Sequence, residues 1–501
     1  MIFTPDHPPQ GTIRDWLNSR AADGGTAIVF PETGEVLKWA ALRDTAAAMA
    51  QAMYNQGIVK GESVAIIHPN GKDGVLAIYA ALYGGFRATM INLAAGPDAI
   101  AYALEHSGAR FALVHDSQRE TFAQVAPDGM QRLDPARGGA AALPALSPDD
   151  HALLMYTSGT TGKPKGVVHS HSSLLAGGWT TAVAHALAPE DRGFCVLPIY
   201  HINGLCVTMM GALVSGGSLA MTARFSASKF WDQADQAQVT WFSVVPTIVS
   251  HLLHGAASPT PALRNRLRFG RSASSALAVE TQSAFEARFG VPIVETMGLT
   301  ETAAQILSNP LPPGIRKVGS PGVPFGNEVR ILDAALAEAP RMQEGEIAIR
   351  GPNVMREYLN NPEATAQTFA GEWLRTGDLG HMDADGYVFV TGRLKELIIK
   401  GGENIPPREI DEVLYSNADV VEAAAFARPC PRYGETVEAA VALTDGSGQT
   451  GADLVALCQS RLGKFKSPDI IHILDELPKG PSGKIQRLKL SDLIPAPQAA
   501  E

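Results

Sequence analysis

The residues best suited to chemistry lie together at Tyr156-Thr157-Ser158-Gly159-Thr160-Thr161-Gly162-Lys163-Pro164-Lys165-Gly166. Three glycines let a backbone approach an anion without a Cβ in the way, four serine and threonine hydroxyls and the intervening N–H groups donate hydrogen bonds, and two lysines bring compensating charge. A polyphosphate suits that set of groups, and the segment points to an enzyme that uses ATP. An ordinary P-loop is excluded, because Pro164 stands five residues after Gly159 where that motif needs its second glycine, and no Gly-Lys-Ser/Thr follows. Further along, Thr300-Glu301 sets a hydroxyl beside a carboxylate, a pair suited to a phosphate oxygen and Mg²⁺. Asp378 can accept from two sugar hydroxyls, and Arg393 brings a rigid donor fork. Lys484 sits in a glycine-flanked segment, Pro478 to Arg487.

These groups need elements that hold them. From Glu62 to Asp116, apolar runs such as Ser63-Val64-Ala65-Ile66-Ile67 and Phe111-Ala112-Leu113-Val114 alternate with Ala-rich helical stretches such as Val75 to Tyr83, which predicts βαβ units in a layered α/β domain. After a Pro/Gly-rich connection at Pro127 to Pro148, a strand at Ala152 to Tyr156 runs into the glycine-rich loop, and a helix over Ser172 to Leu187 follows. The loop thus falls at a strand end, where open α/β sheets bind ligands. A break near Gly392-Arg393-Leu394-Lys395 divides a large domain over 1–393 from a small one over 394–501.

With 501 residues, 45% of them apolar and 18% charged, the chain is globular and too long for one core. A net charge of −10 argues against a nucleic-acid or anionic-membrane partner. Cys195, Cys206, Cys430 and Cys458 show no Cys-x-x-Cys pairing, no signal segment opens the chain, and the most apolar stretch, around Gly204 to Val214, is too short to span a bilayer. A reduced, cytoplasmic protein is expected, and a homodimer is compatible with the sequence.

The loop at 157–166 resembles the signature of the adenylate-forming enzymes: acyl-CoA synthetases, peptide-synthetase adenylation domains and luciferases. Five more segments stand in the family's order: Ser272 to Leu277, Gly298-Leu299-Thr300-Glu301, Arg375-Thr376-Gly377-Asp378, Gly392-Arg393-Leu394-Lys395 and Pro478 to Arg487. The resemblance covers roughly residues 25 to 490. It implies a large layered α/β domain followed by a small mobile α+β domain. ATP, Mg²⁺ and coenzyme A are the implied co-substrates and metal. The nucleotide would be held by Thr157, Ser158, Gly159, Thr160, Thr161, Gly162, Lys165, Ser274, Ser275, Ala276, Glu295, Thr296, Met297, Gly298, Asp378 and Arg393, and Mg²⁺ by Glu301 with Thr300 beside it. Lys484 would stabilise charge at the α-phosphate, His201 would gate the acyl site, Lys395 would be the hinge, and Gly401 and Gly402 would approach the pantetheine tunnel. Met297 stands where most relatives stack a tyrosine on adenine; a methionine can also cover a ring face.

The family reading points to a carboxylic acid. Amino-acid-activating relatives carry an aspartate in the segment equivalent to Tyr200-His201-Ile202-Asn203, and none is found here. Within the family the chain resembles the oxalate-CoA ligases and their short-chain relatives, through Arg224 to Trp231, Val244-Val245-Pro246-Thr247, Arg271-Ser272-Ala273-Ser274 and Ser308 to Leu311. Those ligases place a substrate histidine where this chain has Ala304, which disfavours oxalate itself. Serines 272, 274 and 275 suit a small polar or anionic acid such as malonate or sulfoacetate. Medium-chain or aromatic acids, a carrier-protein thiol in place of CoA, and a non-catalytic nucleotide binder are the alternatives. Gly446 to Gly451 fits a dinucleotide pattern, and Asp383-Ala384-Asp385-Gly386 part of a calcium loop; they are read as a variable loop and a hairpin turn. His169 and His171 are read as structural, and Arg316 and Lys317 as cations of a solvated loop.

Overall fold

A computed structural model describes residues 1–135, 141–157, 164–480 and 483–495. Four sheets organise these residues. In a nine-stranded sheet, six strands run in parallel, in the spatial order Ile293–Leu299, Phe269–Ser272, Trp241–Val244, Arg192–Cys195, Ser218–Met221 and Thr26–Phe30. A seven-stranded sheet carries the expected βαβ units: strand Ser63–Ile67, helix Lys72–Gly84, strand Arg87–Met90, helix Pro97–His106 and strand Phe111–Val114. Its strand Ser63–Ile67 pairs in parallel on both sides, Val64 with Ala88 and with Phe111. That is why Ser63 to Ile67 is buried at every position instead of alternating.

Between these sheets packs a core that includes Trp16, Tyr79, Phe86 and Trp241. The apolar stretch near Gly204 belongs to it, as a π-helical turn Asn203–Met210 followed by helix Gly211–Ser215, every residue buried. Among the described residues no helix is long and apolar enough to cross a membrane. A third, antiparallel sheet contains strands Trp373–Met382 and Val388–Arg393, on which Asp378 and Arg393 stand directly opposite each other.

Beyond it, strands Ile398–Lys400, Glu403–Ile405, Val420–Cys430, Gly434–Leu443 and Ile470–Ile473 form the fourth sheet, with helices Pro407–Tyr415 and Gly451–Lys466. Ile398, Ile410, Leu414, Val437, Val441 and Leu454 give this smaller C-terminal domain a core of its own. Its helix Gly451–Lys466 begins at a capping box in which Thr450 and Asp453 satisfy each other's backbone N–H groups. The Gly446 to Gly451 run therefore feeds a helix N-terminus.

The cations of the exposed loop before the third sheet make specific surface pairs. Lys317 Nζ lies 2.5 Å from Asp383 and 2.7 Å from Asp385, tying the 383–386 turn to that loop. Arg316 likewise forks onto Glu286, at 2.6 Å.

Candidate active site

The parallel strands of the large sheet end on one side, and the small domain closes over those ends. The resulting pocket holds about 1290 Å³ of space, its open mouth included. The large domain lines it with Ser274, Ser275, Ala276, Glu295, Thr296, Met297, Gly298, Asp378 and Arg393, and the small domain with Arg408, Asp411, Lys484 and Arg487 among others. Ten residues singled out from the sequence therefore meet in one cavity.

Backbone geometry dictates part of this wall. A Cβ on Gly298 would meet the Ala304 carbonyl oxygen at 1.5 Å, so only glycine lets the strand Ile293–Leu299 lie against its neighbour. Ser274, a non-glycine residue, is held at φ +74°; such strained positions persist where the surroundings over-determine them, often at functional sites. Glu295 is 2% exposed. One carboxyl oxygen accepts from the Leu277 N–H at 3.1 Å, the other is buried without a partner, and burial pushes its pKa up to about 7.

The polar pair opposite is saturated. Arg393 Nε donates to Asp378 Oδ1 at 2.5 Å, and the carboxylate holds the guanidinium pKa above its usual range. Glu346 anchors the same hairpin, pairing with Arg375 at 2.7 Å and accepting the Gly377 N–H at 2.9 Å.

Lys484 differs. It sits in a tight hairpin closed by Gly480 N–H to the Lys484 carbonyl and Gln486 N–H to the Pro478 carbonyl, both 2.7 Å. Its cationic neighbours are paired, Lys479 with Glu422 at 2.8 Å and Arg487 with Asp411 at 2.5 Å. Its own ammonium has no hydrogen-bond or ion-pair partner among the described residues. Burial lowers its pKa, and nearby Arg393 adds to the effect while Glu396 and Asp378 oppose it.

Thr300 and Glu301 open a short 3₁₀ turn directly after pocket residue Leu299. Two residues hold that turn: His169, read from the sequence as structural, and Tyr358, which the sequence did not single out. His169 Nε2 meets the Thr300 carbonyl at 2.7 Å and Nδ1 meets Ser173 Oγ at 3.0 Å; burial lowers its pKa to about 4, so the ring is neutral and donates to the carbonyl. The Tyr358 hydroxyl donates to Glu301 Oε1 at 2.7 Å, while Lys165 Nζ lies 4.6 Å from the Tyr358 ring centre. Tyr358 thus couples Lys165 to Glu301. Neither partnership is visible in sequence, the partners lying 131 and 57 residues apart.

Glu301 Oε2 makes no hydrogen bond among the described residues. One carboxylate with a free oxygen suits Mg²⁺, which takes one or two carboxylates and leaves its other positions to water and phosphate oxygens. Among the described residues no cluster of three or more His, Cys, Asp or Glu forms a closed metal cage.

Thr157 and Lys165 are cross-strand partners at the mouth of the glycine-rich segment. Ser158, Gly159, Thr160, Thr161 and Gly162 lie outside the described residues. His201 begins the run into the π-helical turn, and burial lowers its pKa to about 4, leaving it neutral. His171 accepts the Ile13 N–H at 3.4 Å. Lys395, Gly401 and Gly402 are exposed and do not line the pocket.

The AMP-binding enzyme family model matches residues 17–359, and that of the AMP-binding enzyme C-terminal domain matches 409–484. The chain belongs to the AMP-binding enzyme family. It is 44% identical to a sulfoacetate–CoA ligase of Cupriavidus necator over 92% of this chain and 94% of that protein. It is 36% identical to an oxalate–CoA ligase of Arabidopsis thaliana over 88% and 90%. Among solved structures, ATP-bound MatB from Rhodopseudomonas palustris superposes with a TM-score of 0.87 at 29% identity, covering 96% of this chain and all of that one. O-succinylbenzoate coenzyme A synthetase from Bacillus subtilis, in complex with ATP and magnesium ion, superposes with a TM-score of 0.83 at 29% identity, covering 95% and 99%.

Proposed function

We propose that this AMP-forming acyl-CoA synthetase activates a small acid carrying a second anionic group, of the sulfoacetate type, with ATP, Mg²⁺ and coenzyme A as its other requirements. The observation that carries the adenylation chemistry is the Lys484 ammonium, unpaired among the described residues, in one pocket with the Asp378–Arg393 pair. The small anionic acid is supported by the names of the relatives, sulfoacetate–CoA and oxalate–CoA ligases.

A carboxylate is a poor acylating agent because its leaving group would be oxide. In the first half-reaction a carboxylate oxygen attacks the α-phosphorus of ATP, the bond to the bridging oxygen breaks, and pyrophosphate leaves with its electron pair. Lys484 would lie between carboxylate and α-phosphate, offsetting their repulsion and the charge that builds up on the phosphoryl oxygens. Asp378 would accept from the ribose hydroxyls with Arg393 holding it in place. The partnerless buried oxygen of Glu295 suits the exocyclic amine of adenine, next to Ser274, Ser275, Ala276, Thr296 and Met297. Glu301, with Thr300, would hold Mg²⁺, which when bound neutralises phosphate charge. In the second half-reaction the CoA sulfur attacks the acyl carbonyl, AMP departs, and the thiol proton passes to water.

For the second step we read the domain boundary at 393/394 and Lys395 as the hinge that turns Gly401 and Gly402 toward the CoA channel. The separate core of the C-terminal sheet and the exposure of Lys395 support that reading. The four cysteines are unpaired, which supports a reducing, cytoplasmic location.

Pyrophosphate release and CoA-thioester formation across sulfoacetate, oxalate, malonate, acetate, medium-chain and aromatic acids test the reading. Turnover of one small dianionic acid with CoA is expected. Pyrophosphate without thioester would transfer the acyl group to a carrier protein, and turnover confined to medium-chain or aromatic acids would sink the substrate class.

A further inference from the structure

Arg271 is buried beside the site, with 1% of its surface exposed. Buried guanidinium groups are ordinarily paired with carboxylates, and this chain does so elsewhere: Arg428 with Glu438, Arg487 with Asp411. Arg271 has only neutral partners. Its Nε lies 3.4 Å from Gln305 Oε1, and its Nη1 donates at 3.1 Å to both Asn203 Oδ1 and Ser243 Oγ. Nη2 donates to nothing among the described residues, and no ion pair among them includes Arg271. Burial brings its pKa down to about 9, which leaves it a cation at neutral pH. The titratable groups facing it do not compensate. Burial holds the Cys206 thiol far above its usual range, and burial together with Arg271 itself holds His185 well below its own, so both are neutral.

The place of this charge is as telling as its isolation. Arg271 and Ser243 each stand one residue before the C-terminal end of a parallel strand, Phe269–Ser272 and Trp241–Val244, which are neighbours in the large sheet. Ligands of open α/β sheets bind in the crevice outside such ends. Asn203, which accepts from Arg271, reaches with its amide nitrogen to Ser274 Oγ at 3.5 Å, and Ser274 is the strained residue on the pocket wall. A chain of polar groups therefore runs from the buried cation to the pocket surface. Asn203 also opens the π-helical turn, a distortion frequent at functional sites.

We propose that Arg271, presented to the pocket through Asn203 and Ser274, is the specificity-determining residue for the second, non-reacting anionic group of the acid. The inference rests on the proposed acid class and assigns it a residue. An anion entering the pocket supplies the negative charge that the fold withholds from Arg271, so a dianionic acid gains an attraction that a monoanionic one lacks.

The experiment is a comparison of wild type, R271Q, R271K and N203D for acid kcat and KM, ATP KM and melting temperature, using sulfoacetate, oxalate and malonate against acetate and propionate. Loss of one close charge pair predicts that R271Q lowers kcat/KM for dianionic acids by roughly 10–100-fold, mainly through KM. Its values for acetate and propionate and its ATP KM stay within a few-fold of wild type. R271K keeps most of the dianion preference. N203D places a carboxylate on Arg271 with almost no change of shape, so it abolishes the preference even if R271Q folds poorly. A uniform fall for all acids would make Arg271 merely structural and overturn the inference. A dianion preference that survives both R271Q and N203D overturns it while leaving the substrate class intact, whereas a wild type indifferent to the second charge overturns both.

Discussion

The two walls of the pocket are built by different rules. The large-domain wall is laid down by sheet register: Asp378 faces Arg393 because their strands pair, Gly298 tolerates the Ala304 carbonyl because it lacks a Cβ, and Glu295 is anchored by a backbone N–H. The small-domain wall hangs on side-chain contacts, Thr247 Oγ to the Gly483 carbonyl at 3.0 Å, Ser250 Oγ to the Val421 carbonyl at 2.7 Å and Val279 N–H to Glu412 at 3.2 Å. Each domain keeps its own apolar core if these break. The contrast teaches that, on the proposed function, nucleotide binding would belong to the wall set by sheet register, while Lys484 stands on the wall held by side-chain contacts.

The largest expected effect separates the walls by half-reaction. K484A removes the unpaired ammonium and should slow pyrophosphate release by roughly 10²–10³-fold, the magnitude of losing one preorganised electrostatic group. Thioester formation from supplied acyl-AMP should stay within a few-fold of wild type. Equal losses in both assays would mean that Lys484 belongs to the fixed wall after all.

D378N attacks the other wall. Replacing a charged acceptor that also balances Arg393 should weaken ATP by about 1.5–3 kcal/mol, or roughly 10–100-fold in KM. Because the fixed wall serves both steps, the retention of acyl-AMP should suffer alongside ATP binding. A defect confined to adenylation would break the comparison.

How legible these walls were depends on how far apart in the chain their interactions lie. Asp378, Arg393 and Lys484 each sit in a short glycine-marked segment, and the structure brings all three to one pocket. The βαβ order between Glu62 and Asp116 was legible because parallel buried strands leave continuous apolar runs. Tyr358 was not, and neither was the partner of His169, since a hydroxyl or imidazole finds its role through a partner far along the chain. Arg271 lies in the Arg271–Ser274 run, yet what sets it apart is that no carboxylate among the described residues pairs with it, which only the packed structure reveals. The loop of Lys317 is exposed as its composition suggests, but its pairs with Asp383 and Asp385 were not legible, because those carboxylates follow more than sixty residues later.

The smallest effect is the most discriminating. T247V keeps the shape of the side chain and removes only the hydrogen bond to the Gly483 carbonyl, next to Lys484, worth a net ~0.5–1.5 kcal/mol. If the small domain turns about Lys395 as proposed, that contact holds only this arrangement, and its loss biases the domains away from it without touching either core. Adenylation should slow by a few-fold, thioester formation from acyl-AMP should hold or quicken, and the melting temperature should barely move. If instead both half-reactions slow together, the contact is part of a rigid interface; the small-domain wall would then be as fixed as the large-domain one, and a swinging lysine would lose its structural basis.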